Sequence, residues 1–180
     1  IETIVKKLLL LTSVLAWISG VSAEEKPKLI VGVVISHFYP EWMDMYGNEL
    51  SENGLKRVMK QGTRVNVNYN YFYTQTGVDH ASIYTGMLPT EHGIVSRAWY
   101  DRLRRKRQYS TQSDRYTEIG DQQADSIKSL SPDYLQTMSL GSAMKWNNPM
   151  SRVFSVAMNG DEAVLSGGSS ADMAIWFSEK

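Results

Sequence analysis

The chain has 180 residues, no cysteine, 19 basic and 19 acidic side chains, and three histidines. The lack of cysteine excludes a disulfide framework and thiolate chemistry, and the balanced charge argues against a dedicated nucleic-acid binder. The length suits one domain with a hydrophobic core, and the sequence contains no internal repeat.

The first 23 residues have the pattern of a secretory signal peptide. Lys6 and Lys7 precede an apolar core at residues 8–18, and small residues at 21–23 form a cleavage site. The apolar core is short for a membrane span, although an uncleaved anchor is the alternative. We therefore expect residues 24–180, with net charge −1, to have no stable membrane span and to lie in a bacterial periplasm or to be secreted.

Apolar patterning in the first half of the chain predicts alternating strands and helices. Residues 29–35 form a continuous β-branched run, typical of a strand buried on both faces of a parallel sheet, and this run ends at Ser36. Residues 50–61 are amphipathic and stop at Gly62, which predicts a helix with a glycine C-cap. Alternation over residues 63–71 predicts the next strand. This order predicts an α/β fold, a three-layer αβα sandwich with a mostly parallel sheet.

Shorter patterns predict the remaining elements. These are a helix within residues 38–46, a hairpin within 99–110, a helix from Ser131 towards residue 146, strands at 152–158 and 174–177, and a short helix or turn at 162–165. The predicted hairpin includes five basic residues between positions 102 and 107. A patch for nucleic acid or anionic lipid is one interpretation of them, and a solvated hairpin is the favoured one.

The stretch of residues 73–101 carries the strongest functional signal. It follows the second predicted strand and sets Thr76 and Gly77 at the mouth of a short helix, which Gly86 and Pro89 close. Unpaired backbone N–H groups and the helix dipole attract anions at such a position. A hydroxyl there is suited to attack a phosphate ester, and the alternative is that Thr76 is only an N-cap.

Several segments of this chain resemble the alkaline phosphatase superfamily. They are residues 27–29, 54–57, 76–86 (Thr-Gly-Val-Asp-His-Ala-Ser-Ile-Tyr-Thr-Gly), 89–94 (Pro-Thr-Glu-His-Gly-Ile) and 99–101 (Trp-Tyr-Asp). The closest branch is that of the periplasmic phosphate-irrepressible phosphatases, near the type I phosphodiesterase/nucleotide pyrophosphatase group. The similarity runs in order from about residue 27 onwards.

The resemblance implies a function and a set of site residues. It implies two zinc ions at the strand ends, a threonine or serine that forms a covalent phospho-enzyme, and a phosphate-ester small molecule as substrate. Thr76 matches the nucleophile and a metal-bound position, and Gly77 and Arg97 are the candidate substrate-binding residues. The other metal ligands of the family lie in its C-terminal half. We therefore expect residues 24–180 to be the N-terminal part of the catalytic domain, inactive alone, from a chain incomplete at both ends.

Four positions depart from what the resemblance implies. Ser36 stands where the family has a metal-binding aspartate, and a neutral hydroxyl lacks the carboxylate charge that zinc sites use. Arg97 stands where an asparagine often holds a phosphoryl oxygen, and arginine binds phosphate bidentately or fills the pocket. Asn159 and Asp161 replace the lysine and arginine of the monoesterase branch, and a carboxylate repels a dianionic phosphate.

Two hypotheses follow from these residues. The first is an exported metal-dependent phosphatase or phosphodiesterase that acts through Thr76. The second is a catalytically degenerate member of the same fold that serves as a binding or scaffolding protein. His80 and His92 are interpreted as structural hydrogen-bonding residues rather than catalytic bases. Asp79 either disfavours a phosphate beside Thr76 or complements the helix N-terminus.

Overall fold

A computed structural model describes residues 27–113, 115–116, 119 and 129–177. The predicted signal peptide and most of the polar stretch after residue 113 lie outside the described residues. The chain divides into two compact units, residues 1–65 and 66–180.

In residues 27–65, the described part of the first unit, two short helices have exposed side chains. They are α1 (Glu41–Tyr46) and α2 (Leu55–Gln61). Helix α2 lies within the predicted segment 50–61 but begins five residues later, and none of its residues is buried, so the predicted apolar face has no packing partner among the described residues. The helix ends where the N–H of Gly62 donates to the carbonyl of Val58 at 2.7 Å. Each of these helices closes its own hydrogen bonds within the segment.

The two strands predicted at residues 29–35 and 63–71 are not formed in the structure. No described residue pairs with either segment, and Leu29 and Val33 are 78% and 75% exposed. Their β-branched and alternating patterns fit a strand, but a strand exists only where a neighbouring segment satisfies its backbone N–H and C=O groups. Both predictions are therefore wrong for the residues described.

The first two helices of the second unit confirm the predicted positions of Gly86 and Pro89 at the helix ends. Helix α3 (Thr76–Thr85) starts two residues before its predicted beginning, and α4 (Pro89–His92) follows it directly. Gly86 ends α3 at φ 69°, a left-handed conformation that glycine adopts without steric cost. Pro89 then occupies the first position of α4, where no N–H is needed.

The predicted hairpin is confirmed. Strands β1 (Ala98–Asp101) and β2 (Lys106–Tyr109) pair antiparallel, with Ala98 opposite Tyr109 and Asp101 opposite Lys106. The Asp101 carboxylate accepts from the N–H groups of Leu103 and Arg104 at 2.9 and 3.0 Å. This side chain therefore stabilises the tight connection between the strands.

The helix predicted from Ser131 is wrong in its first two turns. Helix α5 (Leu140–Asn147) begins only after Ser139, whose hydroxyl accepts from the N–H of Ser142. In the preceding residues the N–H of Gln136 donates to the carbonyl of His92 at 3.0 Å instead of closing a helical turn. Tertiary contact has overridden the local Ser-Pro signal.

A parallel β–α–β unit completes the described chain. Strands β3 (Phe154–Val156) and β4 (Met173–Ile175) pair in parallel, and helix α6 (Gly160–Gly167) lies between them in the sequence. Asp172, just before β4, accepts from the N–H of Val153 at 2.7 Å, from Lys145 at 2.8 Å and from Arg152 at 2.9 Å. One carboxylate thus connects the beginnings of both strands to helix α5.

The core of the second unit lies between helices α3 and α6. Its fully buried apolar residues are Val78, Ala81, Ile94 and Leu165, and Tyr71, Tyr134 and Leu135 pack against them. This contact sets the first turn of α3 beside the first turn of α6, and the described chain combines helices with a parallel strand pair, as the α/β prediction requires.

Candidate active site

Thr76 is the first residue of helix α3, and its side chain is exposed. The N-cap position belongs to Gln75, whose backbone is extended at φ −143° and ψ 145°. The interpretation of Thr76 as an N-cap is therefore corrected. Its hydroxyl lies at the end of the helix where free N–H groups and the positive end of the dipole favour an anion.

Gln75 connects this turn to Arg97, although 22 positions separate the two residues. The amide oxygen of Gln75 accepts from the backbone N–H of Arg97 at 2.7 Å and from the hydroxyl of Ser96 at 3.2 Å. The segment leading into β1 is therefore held directly beside the beginning of α3. The backbone of Arg97 is thus bonded to the residue that precedes Thr76, and a shared site of Thr76 and Arg97 stays a prediction.

Asp161 approaches the same place from helix α6. Its Oδ2 lies 3.4 Å from Nε of Arg97, and its Oδ1 accepts a hydrogen bond from the hydroxyl of Thr111. The Asp161 side chain is 24% exposed and that of Arg97 is 75% exposed. Two of the four positions that depart from what the resemblance implies, 97 and 161, therefore form an ion pair with each other.

Gly77 packs at the contact between α3 and α6. A Cβ at this position would lie 3.3 Å from Cδ1 of Leu165 and 4.0 Å from Cβ of Asp161. The first of these contacts is tight, so the Leu165 side chain would have to shift by a few tenths of an ångström to admit a Cβ. Gly77 is therefore a spacing residue in the structure, and its predicted contact with substrate stays a prediction.

His80 and His92 both bind structural partners, as predicted. Nδ1 of His80 lies 2.7 Å from the hydroxyl of Ser166. The buried ring of His92 accepts from the N–H of Ile94 through Nδ1 and therefore carries its proton on Nε2, 2.9 Å from the hydroxyl of Ser82. Burial lowers the pKa of both imidazoles. Neutral rings thus join α3 to α6 and to the loop after α4.

Asp79, in the first turn of α3, has a structural partner. Its carboxylate accepts from the hydroxyl of Tyr71 at 2.9 Å. Burial, with a contribution from this carboxylate, raises the pKa of Tyr71 to about 12. Asp79 therefore has a structural partner that orients it, and it fastens the segment before Gln75 to α3.

The other two predicted positions are Asn159 in the second unit and Ser36 in the first. Asn159 is the N-cap residue of α6, and its amide donates to Glu162 at 2.8 Å. Ser36 belongs to the first unit and is exposed there. Sequence reasoning missed Gln75 and Thr111, because a glutamine and a threonine in polar segments carry no pattern that identifies a distant partner.

The described residues do not fit a metal centre by themselves. They contain no group of three or more His, Asp or Glu side chains close enough to hold an ion. Ser36 and Thr76 offer hydroxyls, whereas zinc in proteins takes carboxylate, imidazole or thiolate ligands. Two zinc ions consequently stay a prediction from the resemblance.

The basic hairpin lines a groove of about 440 Å³ in the second unit. Two of the basic side chains that line it have acidic neighbours: Arg104 lies 3.7 Å from Asp101, and Arg115 lies 3.6 Å from Asp133. Arg107 instead lies 5.3 Å from the centre of the Tyr109 ring. The solvated hairpin stays the favoured interpretation, and a nucleic-acid surface stays the alternative. Among the helices that the structure describes, none is long and apolar enough to cross a membrane.

The sequence pattern of the type I phosphodiesterase/nucleotide pyrophosphatase family matches residues 30–176. The chain belongs to this family. It is also similar to alkaline phosphatase PafA of Elizabethkingia meningoseptica, with 31% identity over 88% of the chain and 29% of PafA. Alkaline phosphatase PhoK of a Sphingomonas species is 32% identical over 86% of the chain and 27% of PhoK.

The structure agrees with this membership. The crystal structure of wild-type PafA matches with a TM-score of 0.79 and 29% identity, over 87% of the chain and 30% of PafA. The α/β fold class and the resemblance to the alkaline phosphatase superfamily are therefore confirmed. The chain spans about three tenths of the length of the relatives it matches.

Proposed function

We propose that this chain contributes to an exported phosphate-ester hydrolase in which Thr76 is the nucleophile. The observation that carries the proposal is the exposed Thr76 hydroxyl at the first residue of α3, with the backbone of Arg97 bonded to Gln75 directly before it. Membership of a phosphodiesterase family and similarity to two alkaline phosphatases support the reaction class. The signal-like residues 1–23 support export to the periplasm or beyond.

In the proposed reaction the oxygen of Thr76 attacks the phosphorus atom of the ester. A phosphorus–oxygen bond to Thr76 forms, and the bond to the leaving alcohol breaks as that oxygen takes a proton. Water then cleaves the phosphothreonine and releases phosphate or a phosphate monoester. Free N–H groups at the start of α3, including that of Gly77, are suited to stabilise the phosphoryl oxygens. Arg97 is suited to bind one of these oxygens.

The metal requirement of this reaction is part of the proposal. The resemblance implies two zinc ions, which would lower the pKa of a bound hydroxyl and stabilise the developing charge. Since the described residues lack a three-ligand group, carboxylate and imidazole ligands would have to come from elsewhere in the protein. The zinc content of the full-length protein, measured by elemental analysis, tests this requirement.

Replacing the nucleophile tests the function directly. In the full-length protein, Thr76→Ala should lower kcat/KM for p-nitrophenyl phosphate or bis-p-nitrophenyl phosphate by about a thousandfold or more, because the attacking oxygen is gone. Thr90→Ala is the matched control, since Thr90 is an exposed threonine on α4. Equal activity of Thr76→Ala and Thr90→Ala would refute the assignment of Thr76.

A non-catalytic binding or scaffolding protein is the second candidate. Ser36 in place of an expected carboxylate and the ion pair between Arg97 and Asp161 favour it. The same experiment separates the two candidates. Full metal occupancy of the wild-type protein with no hydrolysis of either ester would favour the second one.

A further inference from the structure

The hairpin of β1 and β2 carries a local positive charge that the rest of the chain does not share. It has five basic side chains between positions 102 and 107, and Asp101 is its one acidic residue. Five positive and one negative side chain give residues 98–109 a net charge of +4, whereas the whole chain is neutral. Because residues 102–107 are all exposed, the hairpin presents a concentrated cationic surface.

Most of this charge has no acidic partner in the described structure. Arg104 lies 3.7 Å from Asp101. Within the part of the chain that the structure describes, no acidic side chain forms an ion pair with Arg102, Arg105 or Lys106. The described residues therefore leave most of the hairpin's charge unneutralised, and an external anion would be attracted to it.

An apolar side chain lies in the middle of these cations. Leu103, between Arg102 and Arg104 in the connection of the two strands, is 96% exposed. Its N–H donates to the Asp101 carboxylate at 2.9 Å, so the position of this residue in the turn is fixed. Single exposed leucines are common on protein surfaces. An exposed leucine surrounded by arginines is instead the pattern of a lipid interface, where the apolar group enters the acyl boundary and the cations meet phosphates.

The outer face of the hairpin continues this pattern. Tyr100 stands opposite Arg107 in the strand register, so their side chains share a face, and Tyr100 is 63% exposed. Tyr109 follows Arg107 by two residues on the same face, and the Arg107 guanidinium lies 5.3 Å from the centre of its ring. Tyrosine is enriched where proteins meet the lipid headgroups, because one end of its ring is apolar and the other polar.

The opposite face of the hairpin is fastened to the second unit. The Trp99 ring meets the Tyr134 ring edge-on, with 5.3 Å between the ring centres. Gln108, opposite Trp99, is 6% exposed, and the N–H of Ser110 donates to the carbonyl of Arg97 at 2.9 Å. The hairpin is therefore a pre-formed element, and docking of its outer face would cost little ordering entropy.

The groove beside the hairpin has the charge to receive a lipid headgroup. Its volume is about 440 Å³, and its described lining includes Arg104, Lys106, Arg107 and Arg115, with Asp133 as the one acidic side chain. Guanidinium groups bind phosphate oxygens through paired N–H donors. The phosphate of an anionic phospholipid is thus a suitable ligand for this groove.

We propose that the β1–β2 hairpin docks on an anionic phospholipid surface. Leu103 and the outer-face tyrosines enter the interface, and the basic side chains bind headgroup phosphates. A nucleic acid would use the same cations, but its phosphate backbone offers nothing to an apolar tip. The contact is peripheral rather than a membrane span, and it does not depend on the proposed hydrolase function.

Sedimentation with lipid vesicles tests the charge. The full-length protein without residues 1–23, whose apolar core would itself bind lipid, should bind vesicles of phosphatidylcholine with about one third phosphatidylglycerol at least tenfold more tightly than vesicles of phosphatidylcholine alone. Replacing Arg102→Gln and Lys106→Gln together should weaken this binding about 25-fold, because each cation near an anionic surface contributes about fivefold. The matched control, Lys56→Gln with Arg57→Gln, loses the same charge on α2 and should bind within about twofold of wild type.

Variants at Leu103 distinguish lipid from other polyanions. Leu103→Ser should weaken vesicle binding by about fivefold or more, because the apolar side chain no longer enters the interface, and should leave binding of a single-stranded oligonucleotide unchanged. Leu103→Trp should bind the vesicles at least as tightly as wild type. Circular dichroism spectra identical to that of the wild-type protein would show that these variants fold.

Two results would overturn the proposal. One is equal binding of the wild-type protein to vesicles with and without phosphatidylglycerol, or binding to neither. The other is equal vesicle binding by wild type and Leu103→Ser; tighter binding of the oligonucleotide than of the vesicles would then identify the hairpin as a nucleic-acid surface.

Discussion

The first unit and the α3–α6 contact of the second unit contain similar apolar residues but differ in burial. None of the described residues up to position 65 is buried. At the α3–α6 contact, Val78, Ala81 and Leu165 have no exposed surface. Apolar content therefore does not decide which segment forms a core; the presence of a packing partner does.

Helices and strands respond differently to a missing partner. Helices α1 and α2 form in the first unit because their hydrogen bonds connect residues four positions apart. Residues 29–35 have a more apolar sequence, yet they form no strand, because the bonds of a strand go to another segment. The difference shows why the helix predictions in this unit were confirmed and the strand predictions were not.

The largest expected effect is the loss of stability when a leucine of the α3–α6 contact is replaced, compared with the same replacement in the first unit. Leu165→Ala should lower the free energy of unfolding of the 180-residue chain by about 2–5 kcal/mol, because it leaves a cavity between α3 and α6. Leu29→Ala, at a side chain that is 78% exposed, should change it by less than about 0.5 kcal/mol. Urea unfolding measures both. Similar losses for the two variants would show that residues 29–35 are packed as tightly as the core.

The next effect contrasts the buried histidines with an exposed one. Burial lowers the pKa of His80 and His92 below 6.5, so the unfolded chain binds protons below this pH that the folded chain does not. The stability that these neutral histidines contribute is therefore fully present above pH 6.5. As the pH drops below this value, the free energy of unfolding falls by up to about 1.4 kcal/mol per pH unit for each histidine.

Replacing single histidines tests which of them causes this pH dependence. His92→Gln should flatten the slope and cost about 1–3 kcal/mol near neutral pH, because the partners of the ring lose their hydrogen bonds. His37→Gln is the control, since His37 is exposed in the first unit. Urea titrations over a series of pH values measure the slopes. An unchanged slope in His92→Gln would contradict the pKa shift assigned to this ring.

The smallest effect is expected at a charge cluster on the surface of the first unit. Lys56 and then Lys60 lower the pKa of Glu52 to about 2 by direct hydrogen bonds. The Glu52 side chain is 63% exposed, so water and salt screen the attraction. Glu52→Gln should leave the urea midpoint within the error of the measurement in physiological salt. A clear drop in the midpoint would show that this cluster is better shielded than its exposure indicates.

The sequence was informative where structure depends on near neighbours. Gly86 and Pro89 indicated the end of α3 and the beginning of α4, and a basic run with aromatic residues at either end indicated the hairpin. Ser131 and Pro132 gave an equally good helix start, yet the first two turns are absent. The N–H of Gln136 bonds to His92 there, and no local pattern reveals such a partner.

The candidate site was predictable in part. Thr76 and Arg97 came from a motif and a resemblance, and the structure bonds the backbone of Arg97 to Gln75, the residue before Thr76. The ion pair with Asp161 connects residues 64 positions apart, and neither residue type indicates the other. The sequence suggested Asp161 only as a source of repulsion, whereas its contact with Arg97 makes it a charge that Arg97 balances.

The bond between Gln75 and Arg97 has a consequence for how this site can vary. Its donor is the backbone N–H of position 97, not the guanidinium. Every amino acid except proline supplies that donor. The side chain at position 97 can therefore be exchanged during evolution without loss of this bond, so the backbone frame before helix α3 does not depend on the arginine.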